Sequence, residues 1–235
     1  MIATEAMKKK LVLIALFVLP IVTYLFFTTS VANFSSLPII TTGVEDIAKY
    51  DVKEVFTPFN DTVNLQLKDK VSIIGYLGDQ LKTNVGYTAN LNLTIFKYYQ
   101  GFSEFQMIFF VNPGSEAQVE EVKESLARVT DVTKLRFVEA TPEQARSHFD
   151  GLKTPYAADM NGYSPFVFVV DKELNVRSRN DDLKKLNDYG YDLTQAVEMG
   201  YLKEDIKVVL AAYRLALRKN KNATAKIEQR RPVKE

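Results

Sequence analysis

The stretch from Val71 to Val111 constrains the fold of this chain more than any other part of the sequence. It begins with the apolar run Val71–Tyr76 and ends with the apolar run Phe105–Val111. Short apolar runs without alternation are typical of strands buried on both faces of a sheet. Apolar residues at helical spacing predict a helix from Asn90 between them. The pattern indicates a parallel β-α-β unit, and open α/β sheets place ligand sites in the loop after such a first strand.

The elements after this unit predict two more helices and a strand pair. Ser115 followed by Gln118, and Thr141 followed by Gln144, are both capping-box patterns that predict helix starts. A third buried strand is expected at 135–138, between these two helices. The apolar run 164–170 and the segment 176–179 predict an antiparallel strand pair. A last helix is expected over 203–219, since its apolar residues fall on one face.

The composition excludes several kinds of chemistry. The sequence has no cysteine and one histidine, His148, so it excludes thiol redox work, disulfides, Cys-ligated metals and a multi-histidine site within one chain. Residues 36–213 hold 19 basic and 26 acidic side chains. An acidic body argues against nucleic-acid binding, which needs a basic face. We therefore expect no nucleic-acid partner, no metal and no cofactor.

The N-terminal segment predicts export through a membrane. Lys8, Lys9 and Lys10 precede the apolar run 11–27, and no charged residue follows until Glu45. A run of this length is at the lower limit for a membrane-spanning helix, and the lysines should stay in the cytoplasm. The alternative is a signal peptide cleaved near Ala32, where small residues occupy the inspected positions. We expect a single-pass signal anchor in the bacterial inner membrane, with the domain in the periplasm; cleavage would make the domain secreted.

The predicted domain layout has four parts. The alternating residues 63–67 predict a half-buried strand that belongs to a hairpin ahead of Val71. The parts are an anchor (1–34), a tether (35–59), an α/β domain (60–220) that contains a polar insertion (180–202), and a basic polar tail (221–235).

The order of the elements resembles thioredoxin-like topology, an α/β fold with a central mixed sheet flanked by helices. Ser164-Pro165 before a strand looks like the proline signature of exported thioredoxin-like proteins, and VSIIGYLG at 71–78 resembles the Sco family of membrane-anchored copper-delivery proteins in cytochrome oxidase assembly. Asn112-Pro113 lies where that family has Asp-Pro. The resemblance implies that Pro165 is cis and faces the loop after the first strand.

The sequence departs from the Sco pattern at the copper ligands. The loop 79–88 has no cysteine, and Tyr163-Ser164 lies about where the family has its histidine. Copper binding and thiol exchange are therefore not carried over. By position in the fold, a cleft for a ligand or partner is expected from Asp79, Asn84, Tyr87, Tyr163, Ser164 and Pro165. The alternative is that these residues only close the loop and cap the helix, while His148 is expected to be exposed or to cap a helix.

These observations favour a non-catalytic, membrane-tethered thioredoxin-fold module on the exported face. It would interact with a membrane protein complex or take part in its assembly. The complex could be a respiratory complex or another complex of the envelope. The expected partners are a protein of that complex and the membrane. Two alternatives stay open. One is a degenerate Sco-like copper chaperone that works with a partner's ligands. The other is an enzyme that uses hydroxyl groups of the cleft on a glutathione-like thiol.

Overall fold

The computed structural model describes residues 2–30, 37–55, 65–96, 99, 102–179 and 189–228. They belong to two compact units, Met1–Ser36 and Leu37–Glu235. In the first unit, Ile2–Ser30 forms one helix, α1. Among the described residues, no helix combines the length and the apolar content that crossing a membrane requires. The predicted membrane anchor is therefore not supported here and stays a prediction from the sequence.

The second unit is built on one mixed sheet. Its described strands are, in chain order, β1 (Ile39–Thr41), β2 (Lys53–Val55), β3 (Val71–Gly78), β4 (Phe105–Val111), β5 (Leu135–Glu139), β6 (Ser164–Val170), β7 (Val176–Arg177) and β8 (Tyr191–Asp192). The helices are α2 (Val85–Leu91), which continues into a π-helical turn (Asn92–Phe96), α3 (Glu116–Ala127), α4 (Pro142–Asp150) and α5 (Ala196–Glu228).

The topology is thioredoxin-like, as the sequence predicts. The strand order is β1-β7-β6-β3-β4-β5-β2, and β8 pairs with β6. Strand β3 lies at the centre, parallel to β4 and antiparallel to β6, and β5 is parallel to β4. Every residue of β3 and β4 is buried, because helices or loops cover both faces of the sheet.

Each face of the sheet carries its own apolar cluster. On one face, side chains such as Ile73 and Phe109 pack with residues of α2, α3 and α5. On the other face, Tyr76 and Phe110 pack with Phe149 of α4. The two clusters place α2 and α3 side by side on one face and α4 on the opposite one.

The predicted tether is part of the folded unit over residues 37–55. Strand β1 pairs with β7, β2 pairs with β5, and the side chain of Ile47 between them is fully buried. The Asp46 carboxylate accepts hydrogen bonds from the backbone N–H groups of Leu67 and Lys68, both at 2.9 Å. These bonds fix the backbone of Leu67 and Lys68 at the start of a turn. Residues 65–67 form no strand, so the strand predicted over 63–67 is wrong for its described part.

The two predicted capping boxes have different outcomes. At Thr141 both reciprocal hydrogen bonds with Gln144 are present, which confirms the box. Ser115 has φ −90° and ψ 3° and makes no side-chain cap bond. An N-cap side chain reaches the first turn from an extended backbone, which Ser115 does not have. The helix starts at Glu116 as predicted, but the capping box is wrong.

Two helix boundaries also differ from the prediction. The helix expected from Asn90 already begins at Val85, so the loop after β3 is shorter than predicted. The last helix begins at Ala196 and continues to Glu228, so residues 221–228 are helical rather than part of a tail. Residues 180–188 of the predicted insertion and residues 229–235 of the predicted tail lie outside the described residues.

Candidate functional site

The candidate cleft lies where β3 ends. Gly78, its last residue, has a φ of +53°, in the left-handed region that favours glycine. A Cβ at this position would lie 2.5 Å from the backbone oxygen of Asn161. The loop after β3 and the loop before β6 therefore touch through their backbones at this point.

Two side-chain hydrogen bonds join these loops. Asn161 donates from Nδ2 to Oδ2 of Asp79 at 2.9 Å, and the Tyr163 hydroxyl donates to Oδ1 of Asn84 at 3.3 Å. The loop before β6 is held in shape by Asp159, whose Oδ1 accepts from the backbone N–H groups of Asn161 (2.9 Å) and Tyr163 (2.8 Å). The structure thus brings the predicted residues Asp79, Asn84 and Tyr163 together.

Asn84 is the best-fixed polar side chain of the cleft. It is almost fully buried, and its Nδ2 donates to the backbone oxygen of Gln80 at 2.9 Å. The backbone oxygen of Asn84 accepts from the Thr88 hydroxyl at 3.2 Å, in the first turn of α2. The amide is therefore oriented by its own loop and helix, which leaves Oδ1 to receive the Tyr163 hydroxyl.

Ser164 and Pro165 belong to the sheet. Ser164 is buried, pairs with Tyr76 of β3, and accepts at Oγ from the backbone N–H of Phe166 at 3.3 Å. The backbone oxygen of Pro165 accepts from Leu193 at 3.0 Å. No peptide bond of the described residues is cis, so the cis proline implied by the resemblance is wrong. These two residues help to set the position of Tyr163 beside them.

Tyr87 and Met160 are exposed large apolar side chains near the cleft. Tyr87 lies on α2 and is 37% exposed, whereas Met160, between Asp159 and Asn161, is 83% exposed. Sequence reasoning missed Met160, Asp159 and Asn161. The signal was present, because Asp-x-Asn-Gly is a turn pattern whose first carboxylate accepts from nearby backbone N–H groups.

The electrostatics of the cleft favour hydrogen bonding over proton abstraction. Burial raises the pKa of Tyr163 above its ordinary value, and the hydrogen bond to Asn84 offsets this rise only in part. The hydroxyl is therefore protonated at neutral pH and serves as a donor. Within the part of the chain that the structure describes, no three His, Asp or Glu side chains are grouped in a way that could hold a metal ion.

His148 lies away from the cleft, and the prediction of an exposed or helix-capping histidine is wrong. The ring is fully buried on the opposite face of the sheet, with Nδ1 2.6 Å from the Tyr76 hydroxyl and its ring edge-on to Tyr50. Burial lowers the pKa of His148 to about 4, which the nearby groups of Glu45 and Asp46 offset only in part. The imidazole is neutral at physiological pH and belongs to the core.

Replacing Gly78 by alanine tests how closely the two loops of the cleft depend on each other. We expect a loss of about 2 kcal/mol in the free energy of unfolding, since the left-handed backbone and the close Asn161 oxygen both disfavour a Cβ. Gly114→Ala is the matched control: its φ is +85°, but nothing lies within 4 Å of the added carbon. It should cost about 1 kcal/mol.

Urea unfolding of both variants measures these costs, and amide hydrogen exchange locates them. Exchange at Tyr163 should accelerate in Gly78→Ala and stay unchanged in Gly114→Ala. Equal losses of stability in the two variants would contradict the close approach of the loops.

Comparisons with known proteins give only distant similarities. No family model and no curated protein matches the sequence. Solved structures that resemble the chain include a candidate protein disulfide isomerase from Bacteroides thetaiotaomicron (13% identity, 75% of this chain and 94% of that chain, TM-score 0.45). The apo Sco1 protein from Thermus thermophilus is 16% identical, with 74% of this chain and 95% of that chain covered and a TM-score of 0.39. Copper-bound ScoI from Arabidopsis thaliana is 15% identical, with 60% of this chain and 86% of that chain covered and a TM-score of 0.38. TM-scores below 0.5 at such identities do not assign the chain to a family.

Proposed function

We propose that this protein is a non-catalytic binding module with a thioredoxin-like fold, and that its cleft between the loops 79–84 and 159–163 contacts a protein partner. The observation that carries the proposal is the pair of hydrogen bonds, Asn161 to Asp79 and Tyr163 to Asn84, that fixes the two loops while Met160 and Tyr87 stay exposed. Methionine and tyrosine are enriched in the cores of protein interfaces. A pre-organised cleft with such side chains binds with little loss of conformational entropy.

The chemistry of the cleft supports binding over catalysis. The chain has no cysteine, and the raised pKa of Tyr163 keeps its hydroxyl protonated. Asn84, Asp79 and Asn161 use polar groups to hold one another. A nucleophile needs a neighbouring base or a lowered pKa, and neither supports Tyr163 in this role.

The setting we propose is the periplasmic face of a bacterial inner membrane, with the module tethered by residues 1–34 to an assembly such as a respiratory complex. The support is the sequence pattern alone: three lysines followed by an uncharged segment that begins with the apolar run 11–27. The tether would keep the cleft close to partners in the same membrane and raise their effective concentration.

Photo-crosslinking from the cleft in intact cells tests the proposal. A benzophenone amino acid in place of Met160 should give one discrete adduct with a membrane protein after irradiation. The matched control places the same group at Asp150, which is exposed at the end of α4 on the opposite face. It should give no such adduct.

The same cells also test the tether, because the protein should stay with the membranes after an alkaline wash. Adducts of equal yield from positions 160 and 150, or none from either, would contradict a partner at the cleft. Release of the whole protein by the wash would contradict the tether and leave the cleft result standing.

A further inference from the structure

The chain between β1 and β2 crosses the face of the sheet that α4 covers. These two strands are the opposite ends of the strand order, so the residues between them connect the two edges. Val44 and Ile47 are buried there in the same apolar cluster as Tyr76 and Phe149. We call residues 44–50 the crossing segment.

The crossing segment is held by a small number of polar contacts. Its centre, Ile47–Lys49, is a turn of 3-10 helix and not a strand of the sheet. The Asp46 carboxylate accepts from the backbone N–H of Leu67 at 2.9 Å, and the backbone N–H of Val44 donates to the backbone oxygen of Leu174 at 2.9 Å. The segment can therefore leave the body without breaking the pairing of the central strands.

The ring of His148 lies between the sheet and the crossing segment. On the sheet side its centroid is 4.9 Å from that of Phe110, and Nδ1 is 2.6 Å from the Tyr76 hydroxyl. On the other side the Tyr50 ring is edge-on, with a centroid distance of 5.5 Å, and the backbone of Glu45 is close enough to affect the pKa of the imidazole. The crossing segment thus shields a fully buried histidine from water.

The closed arrangement suits the neutral ring only. Burial raises the pKa of Tyr76 well above its ordinary value, so its hydroxyl is a donor, Nδ1 of His148 accepts from it, and Nε2 carries the ring proton. Nε2 is buried and has no hydrogen-bond partner among the described residues. A second proton, on Nδ1, would displace the hydrogen of Tyr76 and leave a positive charge without water.

The acidic groups around the ring do not compensate such a charge. Glu45 and Asp46 of the crossing segment favour the protonated ring, but the Glu45 carboxylate is exposed and accepts from the Tyr50 hydroxyl at 2.8 Å. The Asp46 carboxylate accepts from backbone N–H groups. On α4 itself, Asp150 acts on Tyr76 and raises the pKa of that hydroxyl further. Burial therefore outweighs these groups and lowers the pKa of His148 to about 4.

We propose that the crossing segment opens locally in acid, and that protonation of His148 drives this opening. In the open state water reaches the charged ring, while β3, β4 and β6 stay paired. The neutral ring favours the closed state fully above pH 6.5, and this preference is lost as the pH falls toward 4. The opening is independent of the function proposed for the cleft.

Native-state hydrogen exchange of the full chain tests the proposal. The reporters are the backbone N–H groups of Lys49 and Leu67, which donate to the backbone oxygen and the carboxylate of Asp46. After correction for intrinsic exchange rates, their opening constant should rise about eightfold from pH 7 to pH 5.5, above the usual titration range of carboxylates. It should depend little on urea, since a local opening exposes little surface, whereas exchange at Ile74 of β3 should depend strongly on urea.

The control variant is His148→Gln, in which the opening constant at Lys49 and Leu67 should not change between these pH values. A second measurement needs no variant: His148 is the one histidine of the sequence, so its ring gives a single NMR titration, with an expected midpoint well below pH 6.5.

Three results would overturn the proposal. The first is a ring that titrates at about pH 6.5, as an exposed histidine does. The second is exchange at Lys49 and Leu67 with the opening constant and urea dependence of Ile74, which would mean that the segment leaves only when the whole domain unfolds. The third is the same response to pH in His148→Gln as in the wild type. If the variant does not fold, the first two measurements decide.

Discussion

Replacing Asp171 by alanine should lower the free energy of unfolding by about 3 kcal/mol. Asp171 is fully buried, and Oδ1 accepts from the backbone N–H groups of Glu173 at 3.0 Å and Asn175 at 2.9 Å. Oδ2 accepts from Nδ2 of Asn175 at 3.2 Å and from Nε of Arg177 at 2.6 Å. The variant would leave these donors without their acceptor in the turn that joins β6 to β7.

The loss of unfolding free energy expected for Asp171→Ala is at the low end of the range for removing one partner of a buried ion pair. The Arg177 side chain is 20% exposed, and its Nη1 also donates to the backbone oxygen of Leu37 at 2.9 Å. Water and this second acceptor would partly compensate the guanidinium. The effect should reach β1 as well, because Arg177 joins β7 to the chain just before β1.

Asp131→Ala is the matched control for Asp171→Ala. The Asp131 carboxylate also accepts from a backbone N–H two residues later, at Thr133 (2.8 Å), but the residue is exposed. Its loss should cost less than about 1 kcal/mol. Urea unfolding of the full chain at pH 7 measures both, and similar losses would refute the view that burial makes Asp171 critical.

Acidification should destabilise the protein through His148. Its pKa is about 4 in the folded chain against 6.5 when exposed, so between these values the unfolded chain binds more protons. The contribution of the neutral ring is fully present above pH 6.5 and is lost as the pH falls toward 4. The loss amounts to about 1.4 kcal/mol at pH 5.5 and about 3 kcal/mol at pH 4.

The comparison with His148→Gln isolates this contribution. The glutamine amide can still bond the Tyr76 hydroxyl but does not titrate, while the carboxylates of both proteins respond to acid alike. The variant should have a lower free energy of unfolding than the wild type at pH 7. The difference in free energy of unfolding between the two proteins should become about 3 kcal/mol smaller by pH 4. Parallel pH profiles in urea unfolding would show that His148 does not titrate as its burial requires.

The central strands could be predicted because consecutive apolar residues indicate that a strand is buried on both faces. Every residue from Val71 to Leu77 and from Phe105 to Val111 is buried, so apolar runs interrupted only by Ser72, Gly75 and Gln106 mark both strands. Their order with the predicted helices then fixed the parallel crossovers and the thioredoxin-like topology. The confirmed capping box at Thr141 is a local signal of the same kind, since both partners lie within four residues.

The outer strands could not be predicted because their signals are tertiary. Strands β1 and β2 have three residues each, too few to show an alternating pattern. Strand β2 is held by a residue that is distant in the sequence: Nε of Arg136 on β5 donates to Oε2 of Glu54 at 2.8 Å. His148 shows the same limit: its position near a helix end suggests exposure, whereas its burial depends on Tyr76, 72 residues away.

The predicted topology was enough to place three residues of the cleft, Asp79, Asn84 and Tyr163, near one another. Asp79 and Asn84 follow β3, and Tyr163 precedes β6, so the antiparallel pairing of these strands brings all three to one edge. Ser164 and Pro165, which were also predicted to line the cleft, are the first residues of β6, directly after Tyr163. The prediction missed Met160 because exposure of an apolar side chain depends on the shape of the loop that carries it.

The two outer strands of the sheet have a consequence for the order of synthesis. Strand β1 closes one edge against β7, and β2 closes the other against β5, so one early segment supplies both borders. Ile39 leaves the ribosome roughly seven to thirty seconds before its partner Arg177, at usual elongation rates. During this interval the nascent inner strands have open edges, which can pair with other chains. Strand β1 is therefore the first strand to be made, yet it can pair only after strands β2 to β6 and its partner β7 have followed.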